Sequence, residues 1–288
     1  MNLITGSNGS CAHYLKAELG QWVGMARPEC DLTNANQVAE RLYEYKPDVI
    51  YHLAANANVR ASFDAPVYIF KNNTEATLKL FECCRLVGIK PVIVICSTSE
   101  VYGNPGAWPI MEGFNTDRQT NPYAVSKRAQ ESISKFYEGC YGFPVVITRA
   151  FGYVNPRRAN LSLTAFAKQI VAIERGEQQE LVHGNLNSVR TFCDVRDVAK
   201  AYVKAAAHPG QTFNIGSETP VSIKECLEIL ISYAQAEILT RQDEALMRPQ
   251  DVTNIVPDCS VFRKATGWEP KIPLKDSLRW LLEQCRST

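Results

Sequence analysis

Two short stretches of this chain hold side chains able to move protons. One is Cys96-Ser97-Thr98-Ser99-Glu100-Val101-Tyr102-Gly103 and the other Asn121-Pro122-Tyr123-Ala124-Val125-Ser126-Lys127. The spacing of Tyr123 and Lys127 puts both on one face of a helix. A phenol near its free pKa of ~10 is a poor base at neutral pH, and a cation on its own helix face lowers that pKa. The Thr98 hydroxyl can hydrogen-bond the same substrate oxygen and steady the transfer. Glu100 suits acid–base work if burial raises its pKa, and otherwise serves as a structural hydrogen-bond acceptor. A tyrosine and a lysine often share a helix face without function, so the rest of the chain has to decide.

The elements that position these groups are legible. The apolar run Val92 to Cys96 predicts a buried strand, leaving Thr98 and Glu100 at its exit, and a helix is expected from Tyr123 to about Tyr141. Strand exits and helix starts are where open α/β sheets bind ligands. At the N-terminus a strand over Asn2 to Thr5 runs into Gly6-Ser7-Asn8-Gly9-Ser10-Cys11-Ala12 and a helix. Gly6 permits a tight turn, Gly9 lets backbone amides approach a diphosphate, and Ala12 is small enough for helix–strand packing. A second strand, Gln21 to Met25, ends at Ala26-Arg27. A basic residue there suits a 2′-phosphate, so Arg27 favours NADP over NAD, against the plainer reading of a surface arginine.

Asp31-Leu32-Thr33 leads into a helix over 34–45, and Asp48 to His52 forms a third strand that exits through Leu53-Ala54-Ala55-Asn56. Small residues there let a cofactor lie close, and His52 reads as a packed structural histidine. A helix follows over 65–87, with Asn72-Asn73 inside it; asparagine is mildly unfavourable in a helix, which points to a polar task. Pro144 to Thr148 is the fifth strand. This alternation predicts a Rossmann-type, doubly wound α/β fold with a parallel sheet over residues 1–150. Beyond Arg149 the pattern is too mixed to continue the sheet. It predicts a smaller α/β substrate cap over 151–288, with 190–210 returning to the first domain. Helices are expected over 164–175, from Asp194 onward, after a Ser222 cap, and over 274–285.

A net charge of +1 over 288 residues offers no general attraction to nucleic acid or anionic membrane. No apolar run is long enough to span a bilayer, and Met1-Asn2-Leu3-Ile4-Thr5-Gly6 lacks the features of a signal peptide. The ten cysteines include no Cys-x-x-Cys, and the four histidines are scattered, so no metal site is expected. Reduced, mostly buried cysteines imply a cytoplasmic protein.

Taken together, the chain resembles the extended short-chain dehydrogenases/reductases of the nucleotide-sugar epimerase/dehydratase group. The resemblance spans essentially the whole sequence. It rests on the Thr-Gly-x-x-Gly start, Tyr51-His52-Leu53-Ala54-Ala55, Ser97 to Gly103, Tyr123-x-x-x-Lys127, and Val189-Arg190-x-x-x-Asp194-Val195-Arg196-Asp197. Asn214-Ile215-Gly216, Arg248-Pro249 and Gly267-Trp268-Glu269-Pro270 complete it. It implies a nicotinamide cofactor, hydride exchange at sugar C4, and Tyr123 as base assisted by Lys127 and Thr98. It also implies cofactor contacts from Gly6, Asn8, Gly9, Arg27, Asp31, Leu32, Leu53, Ala54, Ala55, Asn73, Tyr123 and Lys127. Asn155, Arg157, Lys168, Arg190 and Arg248 are its candidates for holding a nucleotide-diphosphate sugar, with Arg190 and Arg248 as the candidate diphosphate clamps.

Within the group the chain is most similar to GDP-mannose 4,6-dehydratase and GDP-4-keto-6-deoxymannose reductase. Thr98-Ser99-Glu100 and Asn155-Pro156-Arg157-Arg158 resemble the dehydratase, in which the glutamate moves the C5 proton. The stretch Ala165 to Val171 and Arg248-Pro249-x-Asp251-Val252 look as much like the reductase, and the loop after the second strand is shorter than in dehydratases. Gly152 stands where the group usually has an asparagine. The expected activity is a GDP-mannose 4,6-dehydratase-like reaction. The alternatives are the reductase using NADPH, a sugar-nucleotide epimerase, or a non-catalytic cofactor-binding scaffold. The resemblance also implies a homodimer formed by the helices over 65–87 and 123–141, with Leu78, Phe81, Ile133 and Phe136 as candidate seam residues.

Overall fold

The computed structural model describes residues 1–159, 161–247 and 254–288. Its first half alternates strand and helix: β1 (Asn2–Thr5), α1 (Ser10–Glu18), β2 (Trp22–Met25), α2 (Ala35–Tyr45), β3 (Val49–His52), α3 (Val59–Asp64), α4 (Pro66–Val87), β4 (Val92–Thr98), α5 (Pro122–Tyr141) and β5 (Val145–Ala150). The second half comprises β6 (Tyr153–Val154), α6 (Ser162–Glu174), β7 (Glu180–His183), β8 (Val189–Arg190), β9 (Cys193–Asp194), α7 (Val195–Ala205), β10 (Thr212–Ile215), β11 (Val221–Ser222), α8 (Ile223–Ser232), β12 (Leu239–Gln242), α9 (Ser260–Thr266) and α10 (Leu274–Arg286).

A six-stranded sheet in the order β10-β5-β4-β3-β1-β2 forms the centre, and every pairing in it is parallel. Strand residues feed two cores in alternation, as a period of two requires. Ile4 and Val94 enter a cluster with α1 and α7, while Leu3, Ile93 and Ile95 enter one with α2, α4 and α5. A separate cluster built from α6, α8 and α10 holds Phe166, Leu227 and Leu281. The chain order reverses between β1 and β3, which opens a crevice at the carboxyl ends of the strands.

The expectation that the second half leaves the sheet is corrected by β10, which pairs with β5 in the register Phe213↔Thr148. Without it β5 would be an exposed edge. Phe213 and Ile215 are both fully buried there. The returning segment therefore reaches Ile215 rather than ending at residue 210. The helix expected from residue 65 is also preceded by a separate short one, α3. Asn58 caps it through the Ala61 N–H, and Pro66 then starts α4 afresh.

Candidate active site

The four reactive groups meet at the ends of β4 and α5. β4 runs out at Thr98, and a 3₁₀ turn over Ser99–Tyr102 carries Glu100. Asn121 caps α5 through the Ala124 N–H at 2.8 Å, and Pro122 opens the helix. Tyr123 and Lys127 therefore sit in its first two turns, with the phenol 7% and the lysine 2% exposed. The Thr98 hydroxyl and the Glu100 carboxylate both face the phenol closely enough to act on its ionisation. Glu100 is half-buried, and Asn121 Nδ2 donates to its Oε2 at 2.8 Å.

The electrostatics differ from the simple expectation. Burial pushes the Tyr123 phenol above its ordinary value, and the cation that acts most strongly against this is Arg158. Lys127 is itself lowered to about 8, first by burial. Arg158 follows β6 and reaches inward, donating to Ala57 O at 2.5 Å and to the Tyr153 hydroxyl at 3.3 Å. It thus ties the loop after β6 to the loop after β3. Arg157, the residue singled out in sequence, is exposed and turns its charge toward His13 and Tyr14 on α1. Nothing in the sequence tells which of two adjacent arginines turns inward.

Around this pair lies a buried polar scaffold. The Thr77 hydroxyl donates to Asn73 O at 2.9 Å, so it accepts from His52 Nε2, also at 2.9 Å. That leaves His52 Nδ1 to accept from Thr5 Oγ1 at 2.8 Å. Burial, followed by the charge of Lys127, lowers His52 to about 3, so the ring is neutral and structural. Gln130, unmarked in the sequence reading, donates to Thr77 Oγ1 at 2.6 Å. Asn73, expected among the cofactor contacts, is also part of this scaffold. It is fully buried, accepting from Asn56 N at 2.7 Å and donating to Ser126 Oγ at 2.9 Å. Below Thr98, Arg149 forms a two-pronged pair with Glu131 at 3.0 and 2.8 Å. Arg149 also donates to the Tyr102 hydroxyl at 2.9 Å, and that hydroxyl donates to Asn214 at 2.7 Å, linking β5, α5 and β10.

The N-terminal loop fits a dinucleotide. Gly6 has φ +65°, and a Cβ there would lie 2.9 Å from Ala54 Cα, so the strand ends stay open only to glycine. The first turn of α1 has no side-chain cap and no acidic residue, leaving its N–H groups to an anion. Gly9, Asn8, Leu53, Ala54 and Ala55 flank this turn or the neighbouring exit of β3, and Asn8 Nδ2 holds Arg27 O at 3.0 Å. Arg27 lies past β2, paired with Asp31 at 3.0 Å and donating to Asn72 Oδ1 at 3.1 Å. Asp31 is held below its ordinary value, chiefly by the Thr33 N–H and, among smaller contributions, by Arg27; Leu32 is buried beside it.

The sugar-side candidates scatter. Asn155 is fully buried; its Oδ1 accepts from Arg157 N at 3.0 Å, and its Nδ2 has no hydrogen-bond partner. Gly152 cannot carry the asparagine usual in the group, because a Cβ would lie 2.5 Å from Thr191 O. Arg190 is half-buried on β8 and donates to Val189 O at 2.9 Å. Lys168 is exposed on α6, where its charge acts on Cys285 of α10. Arg248, with Pro249, Asp251 and Val252, lies outside the described residues. No cluster of three or more His, Cys, Asp or Glu fit for a metal occurs among the described residues.

The sequence and the fold have counterparts among known proteins. The family model described as GDP-mannose 4,6 dehydratase matches residues 15–280. GDP-6-deoxy-D-mannose reductase of Pseudomonas aeruginosa is 30% identical over 99% of this chain and 96% of its own length. GDP-mannose 4,6-dehydratase of Vibrio cholerae is 26% identical over 89% of this chain and 79% of its own. Among solved structures, RMD from Pseudomonas aeruginosa complexed with NADPH superposes with a TM-score of 0.91, at 30% identity and 99% coverage of both chains. UDP-glucose 4-epimerase of Thermus thermophilus complexed with NAD gives 0.87 at 25% identity, covering 99% and 98%.

Proposed function

This chain belongs to the GDP-mannose 4,6-dehydratase family of extended short-chain dehydrogenases/reductases, and from that premise we propose that it dehydrates a GDP-linked hexose across C5 and C6 after oxidation at C4. The observation that carries the reading is Glu100, a second proton-moving group beside Tyr123 and Thr98. Reduction of a ketone needs one proton donor; dehydration needs one group at O4 and another at C5.

A bound nicotinamide, NADP with NAD as the alternative, supplies a hydride acceptor for C4 and a donor for C6. The residues do the rest. The open turn at Gly6 and Gly9 receives the diphosphate, and Arg27 exchanges Asp31 for a 2′-phosphate. Thr98 holds O4 while Tyr123 takes its proton, with the positive charge of Arg158 and Lys127 nearby. Glu100 removes the C5 proton and passes it to the departing C6 hydroxyl, which leaves as water. The proton kept on Tyr123 then returns to C5. Glu100 and Tyr123 end as they began, and the sugar has lost one water.

Substituting Glu100→Gln and Tyr123→Phe tests this with GDP-mannose and NADP. Either change is expected to lower kcat by roughly 100- to 10,000-fold, the usual contribution of a positioned acid or base. Unchanged turnover in E100Q would remove the basis for dehydration. The second reading, a reductase of a 4-keto sugar using NADPH, is favoured by the end-to-end match to the Pseudomonas aeruginosa reductase. Consumption of NADPH with GDP-4-keto-6-deoxymannose, and none of GDP-mannose, would establish it.

The same proposal includes a homodimer in the cytoplasm. Val67, Phe70 and Leu78 of α4 and Val125 and Phe136 of α5 are exposed on adjacent helices. Phe81 and Ile133, also candidates for the seam, instead join the core beneath them. All ten cysteines are free, which suits a reducing compartment.

A further inference from the structure

We propose that Asn121 is a positioning residue for Glu100, one amide serving both the helix that carries the phenol and the turn that carries the acid. The inference rests on the assignment of Glu100 to the C5 proton made above. Asn121 is 7% exposed, and its side chain is used at both ends. Oδ1 accepts the Ala124 N–H at 2.8 Å, and Nδ2 donates to Glu100 Oε2 at 2.8 Å. The amide cannot be turned over. A backbone N–H meets only an acceptor, so the oxygen must face the helix and the nitrogen is left for the carboxylate.

Capping does not account for the nitrogen. Serine and aspartate cap helices about as well as asparagine, and neither offers an N–H to a carboxylate. The hydrogen bond to Glu100 is charge-assisted and restrains a side chain whose several torsions are otherwise free. A second anchor lies at the other end of the residue, where Glu100 N donates to Thr98 Oγ1 at 3.3 Å. Thr98, Glu100, Asn121 and Tyr123 thus form one continuous set of contacts.

The backbone makes this meeting possible at Gly103. It has φ +60°, and a Cβ there would lie 1.8 Å from Arg118 O. The chain leaving the Glu100 turn is therefore pressed against the chain returning to α5, and Asn121 arrives beside Glu100. Asn121 touches the acid rather than the sugar, so its effect is to hold Glu100 in line with C5.

The test compares wild type, N121S, N121D, E100Q and the double variant E100Q/N121S on GDP-mannose and NADP. Serine preserves the cap without adding charge, so the thermal midpoint of N121S stays near the wild-type value. The inference predicts that N121S lowers kcat by ~10- to 100-fold with KM little changed, less than loss of the acid itself. N121D, which sets a carboxylate against a carboxylate, should fall further. Wash-in of solvent deuterium at C5 should fall in step. In the E100Q background N121S should cost nothing more, because its effect acts through Glu100. Wild-type kcat in both Asn121 variants beside an impaired E100Q overturns the inference alone. So does an equal loss from N121S with or without Glu100. Unchanged turnover and C5 wash-in in E100Q overturn the assignment of Glu100, and the inference falls with it.

Discussion

At the scale of single residues, the catalytic phenol depends on charges that the sequence places incompletely. Lys127 sits at about 8 because burial disfavours its charged form. Its positive charge is therefore present below that pH and lost above it, while burial keeps Tyr123 protonated beyond its ordinary value. Because Tyr123 acts as a base only when ionised, the expected kcat/KM, which reports the free enzyme, rises with pH as one proton leaves the Tyr123–Lys127 pair and levels off above pH of about 8. Lys127→Arg should remove that levelling, so that the rise continues past pH of about 8, and a pH series from 6 to about 10 checks it. Arg158 is the cation acting most strongly on the phenol, whereas Arg157 faces α1. Arg158→Met should cost ~10-fold in kcat at neutral pH, the effect of about one pKa unit, and Arg157→Met should cost little. Parallel steady-state kinetics separate the two. The Tyr-x-x-x-Lys spacing and the strand exit at Thr98 and Glu100 were readable without coordinates. The inward turn of Arg158, the commitment of Asn73 to Asn56 and the reach of Asn121 were not, because each depends on which rotamer the tertiary packing selects.

At the scale of elements, the strand–helix alternation through β5 was legible because parallel strands buried on both faces give unmistakable apolar runs. The helix start near Tyr123 was likewise legible, and the structure adds the Asn121 cap and the first-turn Pro122. The return of β10 to β5 was not legible, since pairing across a long insertion leaves no local signal. The same return is reinforced by Glu131 and Arg149, which tie α5 to β5 and, through Tyr102, to β10. Glu131 is 1% exposed, so Glu131→Ala would strand a buried guanidinium. It should destabilise the protein by about 3–5 kcal/mol, read as a lower denaturant midpoint. A change within about 0.5 kcal/mol, the range of ordinary surface substitutions, would mean that the pair does not brace the sheet.

At the scale of the whole molecule, the six-stranded sheet presents its strand exits to one crevice, and the loop after β6 reaches back over it through Arg158. No helix among the described residues is long and apolar enough to cross a membrane. The exposed apolar faces of α4 and α5 lead to an assembly prediction: Phe136→Glu with Leu78→Glu should convert a dimer to a monomer in sedimentation velocity. A monomeric wild type would refute the pairing. The central claim is that both halves of a redox cycle occur on one sugar. Its most direct test supplies GDP-mannose deuterated at C4 to the enzyme with NADP and no added reductant. The account predicts a 4-keto-6-deoxy product carrying the deuterium at C6. It would be contradicted by absence of that product, or by a product whose C6 hydrogen did not come from C4.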